Sequence, residues 1–212
     1  MKNQRTLQYY VDKLKTGKFS LARYGDGELY CMWGKQGGNS NGCRYSPELR
    51  QSLLESMDVD IIHGLQRVLP MDEVKVMRQY PHIEWDDTEI LSEAVANGEL
   101  YPLIEQLRKM KTVSIYKRDI SSILPNNYSI IVPPFNSYDI KEKIIKQIME
   151  HPADVYLFSC GMGANAIIGE LHGKVDATLF DVGHIWDAFF DEMSRCDLEG
   201  KTKEDINKNL CK

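Results

Sequence analysis

The 212-residue chain sets 26 Lys and Arg against 31 Asp and Glu for a net charge of -5, and 42% of its residues are hydrophobic. Those figures suit a single globular domain with a substantial core, and no apolar run nears the ~20 residues that a membrane crossing takes, which excludes a membrane span. The acid excess removes any global drive toward a phosphate backbone, although a nucleic acid is not thereby excluded as a substrate.

The opening residues Met1-Lys2-Asn3-Gln4-Arg5 run into a polar helix pattern and not into an apolar leader, which predicts a cytoplasmic protein. Cys31, Cys43, Cys160, Cys196 and Cys211 are scattered without C-x-x-C spacing. That pattern argues against a disulfide framework and against a zinc site. No repeat or low-complexity tract divides the chain, and homo-oligomerisation is left open.

Leu7, Tyr10, Val11 and Leu14 recur at helix spacing before Gly17, which predicts a first helix. Phe19, Leu21 and Ala22 predict a buried strand that stops in the turn Arg23-Tyr24-Gly25-Asp26-Gly27-Glu28, after which Leu29, Tyr30, Met32 and Trp33 return to helix spacing. Asp26 and Glu28 flank a glycine, so both carboxylates can bend toward one point, as magnesium or manganese requires of oxygen ligands. The same residues suit a plain Asp-Gly turn with an acid at a helix N-terminus, and the triplet alone leaves both readings open.

Gly34 to Gly42 reads as a flexible polar loop able to close over a ligand. Pro47 at a first helical position and the stripe Leu49, Leu53, Leu54 and Met57 predict a helix, followed by a strand from Val59 to Leu65 that ends in His63-Gly64. Helices are predicted over Asp72 to Gln79, Thr88 to Ala96 and Leu100 to Lys109, broken by Pro81 and Asn97-Gly98. Strands follow at Thr112 to Tyr116, running into Lys117-Arg118, and at Tyr128 to Val132, stopped by Pro133-Pro134. A helix from Asp139 to Glu150 turns Ile140, Ile144, Ile145 and Ile148 inward and leaves Lys141-Glu142-Lys143 as a solvated face. A strand from Asp154 to Ser159, a helix from Ala164 to His172 and a strand from Asp176 to Phe180 complete the alternation. Trp186, Phe189 and Phe190 share the spacing of one helix face and are expected to close the core. The polar stretch from Asp197 to Lys212 reads as a peripheral or frayed helix, so the domain is placed at residues 1–195 and a tail at 196–212.

Strands alternating with helices predict a single-domain α/β fold whose mostly parallel sheet is covered on both faces. In such sheets ligands bind at the carboxyl ends of the strands. The residues predicted to gather there are Arg23 to Glu28, His63-Gly64, Lys117-Arg118, Cys160-Gly161-Met162-Gly163 and Asp181-Val182-Gly183-His184. Cations, a carboxylate pair, a glycine turn and a histidine form the inventory that a metal-bound diphosphate requires. Gly161-x-Gly163-x-x-Ala166, with Asp181 further on, also fits a dinucleotide fingerprint, which supports an NAD(P)- or flavin-binding oxidoreductase as the alternative. That alternative leaves the Arg23 to Glu28 cluster unexplained and comes too late in the chain for a second mononucleotide half. The glycines also suit plain strand-to-helix packing. His82, His151 and His172 fall in a loop or at helix ends and need no function, whereas His184 sits at a strand end with Asp187 one turn later.

Arg23-Tyr24-Gly25-Asp26-Gly27-Glu28 resembles the Arg-x-Gly-Asp-Gly-Glu signature of the GT-D type glycosyltransferases. Thr178-Leu179-Phe180-Asp181-Val182-Gly183-His184 looks like that family's strand ending in an aspartate and a Gly-His pair, with weaker landmarks at Tyr45 to Leu49 and Ile131 to Tyr138 in the same order. The resemblance implies a Rossmann-like fold, a divalent metal (Mn2+ or Mg2+) at Asp26 and Glu28, and a nucleotide-sugar donor, expected to be a UDP-sugar. A hexose or pentose would pass to a hydroxyl on a glycan, a glycoprotein or a modified nucleic-acid base. Arg23, Gly25, Lys117, Gly161, Met162, Gly163 and Asp181 are then expected at the donor, and His184 or Asp187 as the general base. Two departures stand out: Gly161-Met162-Gly163-Ala164 replaces a Gly-Pro-Thr-Ala type turn, and Ile185-Trp186-Asp187-Ala188-Phe189 replaces an acidic run. A non-catalytic nucleotide-sugar binding module on the same fold remains a further alternative.

Overall fold

The structure, a computed structural model, describes residues 2–40, 42–190, 198 and 200–211. Helix α1 (Leu7–Thr16) starts at Thr6, whose hydroxyl accepts from the Tyr9 N–H, and buries Tyr10, Val11 and Leu14. Strand β1 (Ser20–Tyr24) is buried throughout and runs into α2 (Asp26–Met32). Helix α3 (Pro47–Ser56) begins on a Ser46 hydroxyl that accepts from the Leu49 N–H, with proline in its first turn. There follow β2 (Ile62–Leu65), α4 (Pro70–Gln79), β3 (Trp85–Asp87), α5 (Glu89–Asn97), α6 (Tyr101–Leu107), β4 (Thr112–Tyr116) and β5 (Asn127–Ile131). The chain closes with α7 (Lys141–Glu150), β6 (Val155–Phe158), α8 (Gly163–Leu171), β7 (Thr178–Asp181) and α9 (Lys203–Asn207).

Among the described residues the seven strands form one sheet in the order β3-β2-β1-β7-β6-β4-β5, every neighbouring pair parallel. Side chains alternate across it. Ala22, Tyr24, Val113, Ile115, Tyr156 and Phe158 join a core with α2, α3, α7 and α8. Leu21, Val155, Leu157 and Phe180 face a second core with α1, α5 and α6. Burial on both faces is why these strands read as continuous apolar runs. The strand order reverses beside β1, and a cleft opens there at the carboxyl ends.

Several expectations shift. β2 starts three residues later than predicted and runs on to Leu65, so His63 and Gly64 are not its end and lie off the rim. His63 stacks on Tyr24, and its Nε2 lies 3.3 Å from the Ser56 carbonyl oxygen. β3 carries two acids and no alternation, so its pattern gave no signal. It pairs on both sides, because the Asn3 N–H donates to the Trp85 carbonyl and the Asp87 N–H to that of Asn3. The helix predicted from Asp139 begins instead as a 3-10 turn at Ser137–Ile140. Asp187–Phe190 is likewise a 3-10 turn, which buries Trp186 and leaves Phe189 and Phe190 half-buried, unlike one face of an α-helix.

The described part of the tail is docked. Ile206 and Leu198 are buried against the α5 and α6 side of the sheet. The buried Asn209 amide accepts from the Leu100 N–H at 2.8 Å and donates to the carbonyls of Val95 and Ile206. Cys196 and Asp197 lie outside the described residues. No described helix is long and apolar enough to cross a membrane.

Candidate active site

The cleft encloses about 230 Å3. Segments following every strand of the sheet line it: Gly25 to Glu28 after β1, Gln66 and Arg67 after β2, Glu89 with Ser92 and Glu93 after β3, and Lys117 beside Tyr116 at the end of β4. Pro133 and Pro134 come from β5, Ser159 to Met162 from β6, and His184 with Asp187 from β7. Asn39 of the glycine-rich loop and Cys43 just after it reach the same space.

Asp26 is exposed at the start of α2, while Glu28 is buried and folds back so that its Oε2 accepts from the Gly25 N–H at 2.8 Å. That bond makes Glu28 the reciprocal cap of its own helix. Burial pushes its carboxyl up to about 7, and the charges of Asp181 and Asp26 act in the same direction against the Gly25 bond. A carboxylate held in this way is relieved by a proton or by a cation. The donor set, oxygens only, fits a hard ion whose remaining positions come from a ligand and water. Among the described residues no group of three or more His, Cys, Asp or Glu side chains is arranged to hold an ion by itself.

Elsewhere in the cleft lining the Asp187 carboxylate is saturated. Its Oδ1 accepts from the Tyr116 hydroxyl at 2.6 Å and lies 3.3 Å from Lys117 Nζ, and its Oδ2 lies 3.4 Å from His184 Nδ1. Burial raises its carboxyl, but the hydrogen bonds from His184 and Tyr116 and the charges of His184 and Lys117 outweigh that and hold it well below the usual carboxylate range. Asp187 is therefore a poor base and a good anchor. It fixes His184, whose side chain stays partly open to the cleft.

Gly161 adopts a left-handed backbone, φ 62°, on the cleft floor, and Met162 lies beside it. Gly163 does not line the cleft. A Cβ there would stand 2.6 Å from Ser137 Oγ and 3.0 Å from the Tyr138 nitrogen, so that glycine serves a close approach of two segments. Burial pushes the Cys160 thiol up, which leaves it without nucleophilic character.

Arg23 and Asp181 lie beneath the rim and not in it. Asp181 Oδ2 accepts from the Arg23 N–H at 3.1 Å and its Oδ1 from the Gly183 N–H at 2.8 Å, joining the ends of β1 and β7. Burial lifts its carboxyl to about 6, opposed by the Arg23 charge and those two N–H groups. The Arg23 guanidinium is 3% exposed, donates from Nη2 to Gln66 Oε1 at 2.6 Å, and presses against Gly183. Among the described residues its Nε and Nη1 have no hydrogen-bond partner. Of the residues expected at the site, the cleft thus unites Gly25, Asp26, Glu28, Lys117, Gly161, Met162, His184 and Asp187, and leaves Arg23, Asp181 and Gly163 as supports.

Gln66, Arg67, Tyr116 and the α5 acids Glu89 and Glu93 were not expected there. Gln66 and Arg67 directly follow the predicted strand end at Leu65, so the rule that points to strand ends would have found them had His63-Gly64 not been taken as the terminus. Nothing in the sequence places α5 against the cleft.

A protein from Streptococcus sanguinis described as a new glycosyltransferase (DUF1792) superposes on this chain with a TM-score of 0.66 and 17% identity, over 96% of this chain and 94% of its own. The fold is that of a solved glycosyltransferase. A second structure, described as domain of unknown function 1792 with a distinct glycosyltransferase fold, gives a TM-score of 0.65 at 14% identity over 98% of this chain and 94% of its own. A selenomethionine structure of the same domain matches equally well. No protein-family model matches the chain, and neither does any curated protein.

Proposed function

We propose that the protein is a glycosyltransferase that takes a nucleoside-diphosphate sugar, a UDP-sugar in the first instance, and moves its hexose or pentose to an acceptor hydroxyl. The observation that carries this is the composition of the cleft. The carboxylate pair Asp26 and Glu28 shares one cavity with Lys117, His184 and the Gly161 turn, on a fold that matches solved structures described as glycosyltransferases. Asp26 and Glu28 would hold a divalent cation, Mn2+ or Mg2+, which when bound neutralises the diphosphate leaving group. Lys117 and the backbone around Gly161 add donors for the same charge. His184, whose Nδ1 lies 3.4 Å from Asp187 Oδ2, would take the proton of the acceptor hydroxyl, and Asp187 would hold the ring without itself taking the proton. A reducing, cytoplasmic setting suits the free thiols of Cys31, Cys43 and Cys160.

The oxidoreductase alternative loses its two key contacts. Gly163 packs on Ser137 and Tyr138, and both oxygens of Asp181, the candidate ribose acceptor, are taken by backbone N–H groups. Calorimetry of UDP with Mn2+ tests the proposal. Asp26→Asn and Glu28→Gln should each weaken metal-dependent UDP binding at least tenfold while the chain still folds. Unchanged affinity in both variants, or an NADH titration that saturates where UDP gives no response, would overturn it.

A further inference from the structure

A second cavity of about 230 Å3 adjoins the cleft, and Cys43, Cys160 and Met162 line both. We propose that this second cavity is the acceptor subsite and that it receives the uncharged end of a saccharide; the proposal rests on the glycosyltransferase reading above.

Two segments far apart in sequence build it. The Arg44 N–H donates to Asn136 Oδ1 at 2.7 Å, and Arg44 Nη2 donates to Asp139 Oδ2 at 2.6 Å. Asn136 holds a left-handed backbone, φ 55°, the only residue other than glycine to do so among those described. The bond from the Arg44 N–H fixes its side chain between the two segments. The missing Cβ of Gly163 lets the Ser137–Tyr138 segment lie against the start of α8, which brings this cavity up to the cleft floor.

The lining chemistry selects the occupant. Tyr45 and Tyr138 contribute aromatic rings, Ser46 contributes a hydroxyl, and the charges of Arg44 and Asp139 cancel in their ion pair. A phosphorylated or nucleic-acid acceptor calls for a surplus of cations, which this wall lacks. A sugar ring presents C–H faces and a rim of hydroxyls, which aromatic rings and neutral polar groups match. The position also fits, because the acceptor hydroxyl has to reach the carbon that leaves the diphosphate, and the two cavities meet at residues that line both.

The test uses the full chain without donor and the probes lactose, maltose, cellobiose and chitobiose, read by saturation-transfer NMR, with UDP and Mn2+ calorimetry run in parallel. At least one disaccharide should bind, and Tyr45→Ala and Asn136→Gly should each reduce its signal at least fivefold with UDP affinity kept within twofold. Glycine accepts the left-handed backbone at 136, so that variant keeps the loop even where Tyr45→Ala fails to fold. No binding by any of the four, or binding that both variants leave intact, would overturn the subsite. Saccharide binding in a chain that ignores UDP would support the cavity as a saccharide site and sink the donor reading.

Discussion

Asp181 shows how a strand-end acid can look like a ligand and act as a strut. Its position at the end of β7 was legible, but the direction of its side chain was not, because only pairing with β1 brings the Arg23 N–H to it. Its folded carboxyl sits at about 6 against an ordinary 3.8, so the folded chain binds that proton more tightly than the unfolded chain does. Stability therefore falls as pH rises through this window and levels off above it, by at most about 3 kcal/mol at ~1.4 kcal/mol per unit. Asp181→Asn should reduce that fall while lowering stability overall by about 1–3 kcal/mol, since one N–H loses its acceptor. Urea unfolding at pH 4.5 and pH 7 measures both; an unchanged pH dependence would assign the titration elsewhere. Asp187 has the opposite sign. Its depressed carboxyl contributes stability above the ordinary carboxylate range, and that contribution is lost as pH falls below it.

At the scale of elements, the turn after β7 is held from below. Gly183 has φ 61°, and a Cβ on it would collide with the Arg23 guanidinium, so two independent constraints require glycine there. Gly183→Ala should cost more than about 2 kcal/mol, the sum of a left-handed backbone and a displaced buried side chain. The same change made in an Arg23→Ala background should cost less, because only the backbone part then remains. Equal costs in the two backgrounds, measured by chemical denaturation, would mean that Arg23 does not brace the turn. Most elements could be read from their apolar period, with β4 recovered to the residue. The failures fell where tertiary partners outrank pattern. β3 exists because Asn3 and β2 pair with it, and β2 begins late because Val59 to Ile61 precede its pairing with β1.

Across the whole molecule, the end of the chain seals one face of the sheet. Arg108 Nη1 donates to the Leu210 carbonyl at 2.9 Å, and Asn209 satisfies backbone groups of Leu100, Val95 and Ile206. Asn209→Ala should destabilise the entire domain by about 1–3 kcal/mol, because it leaves buried backbone groups unpaired. A melting temperature equal to that of the unaltered chain would show that the tail is dispensable. The sequence by itself determined the alternation of strands and helices, the parallel sheet and the gathering of Asp26, Glu28, Lys117, Gly161 and His184 at strand ends. Those follow from local periodicity, from glycine at turns and from the rule that parallel strands share a carboxyl edge. Only the tertiary structure decided which of those side chains face the cleft, that α5 and the Gln66-Arg67 pair complete it, and that Arg23 and Asp181 stand beneath it. Side-chain direction at a strand end depends on neighbouring strands that are distant in sequence, and no local pattern carries that information.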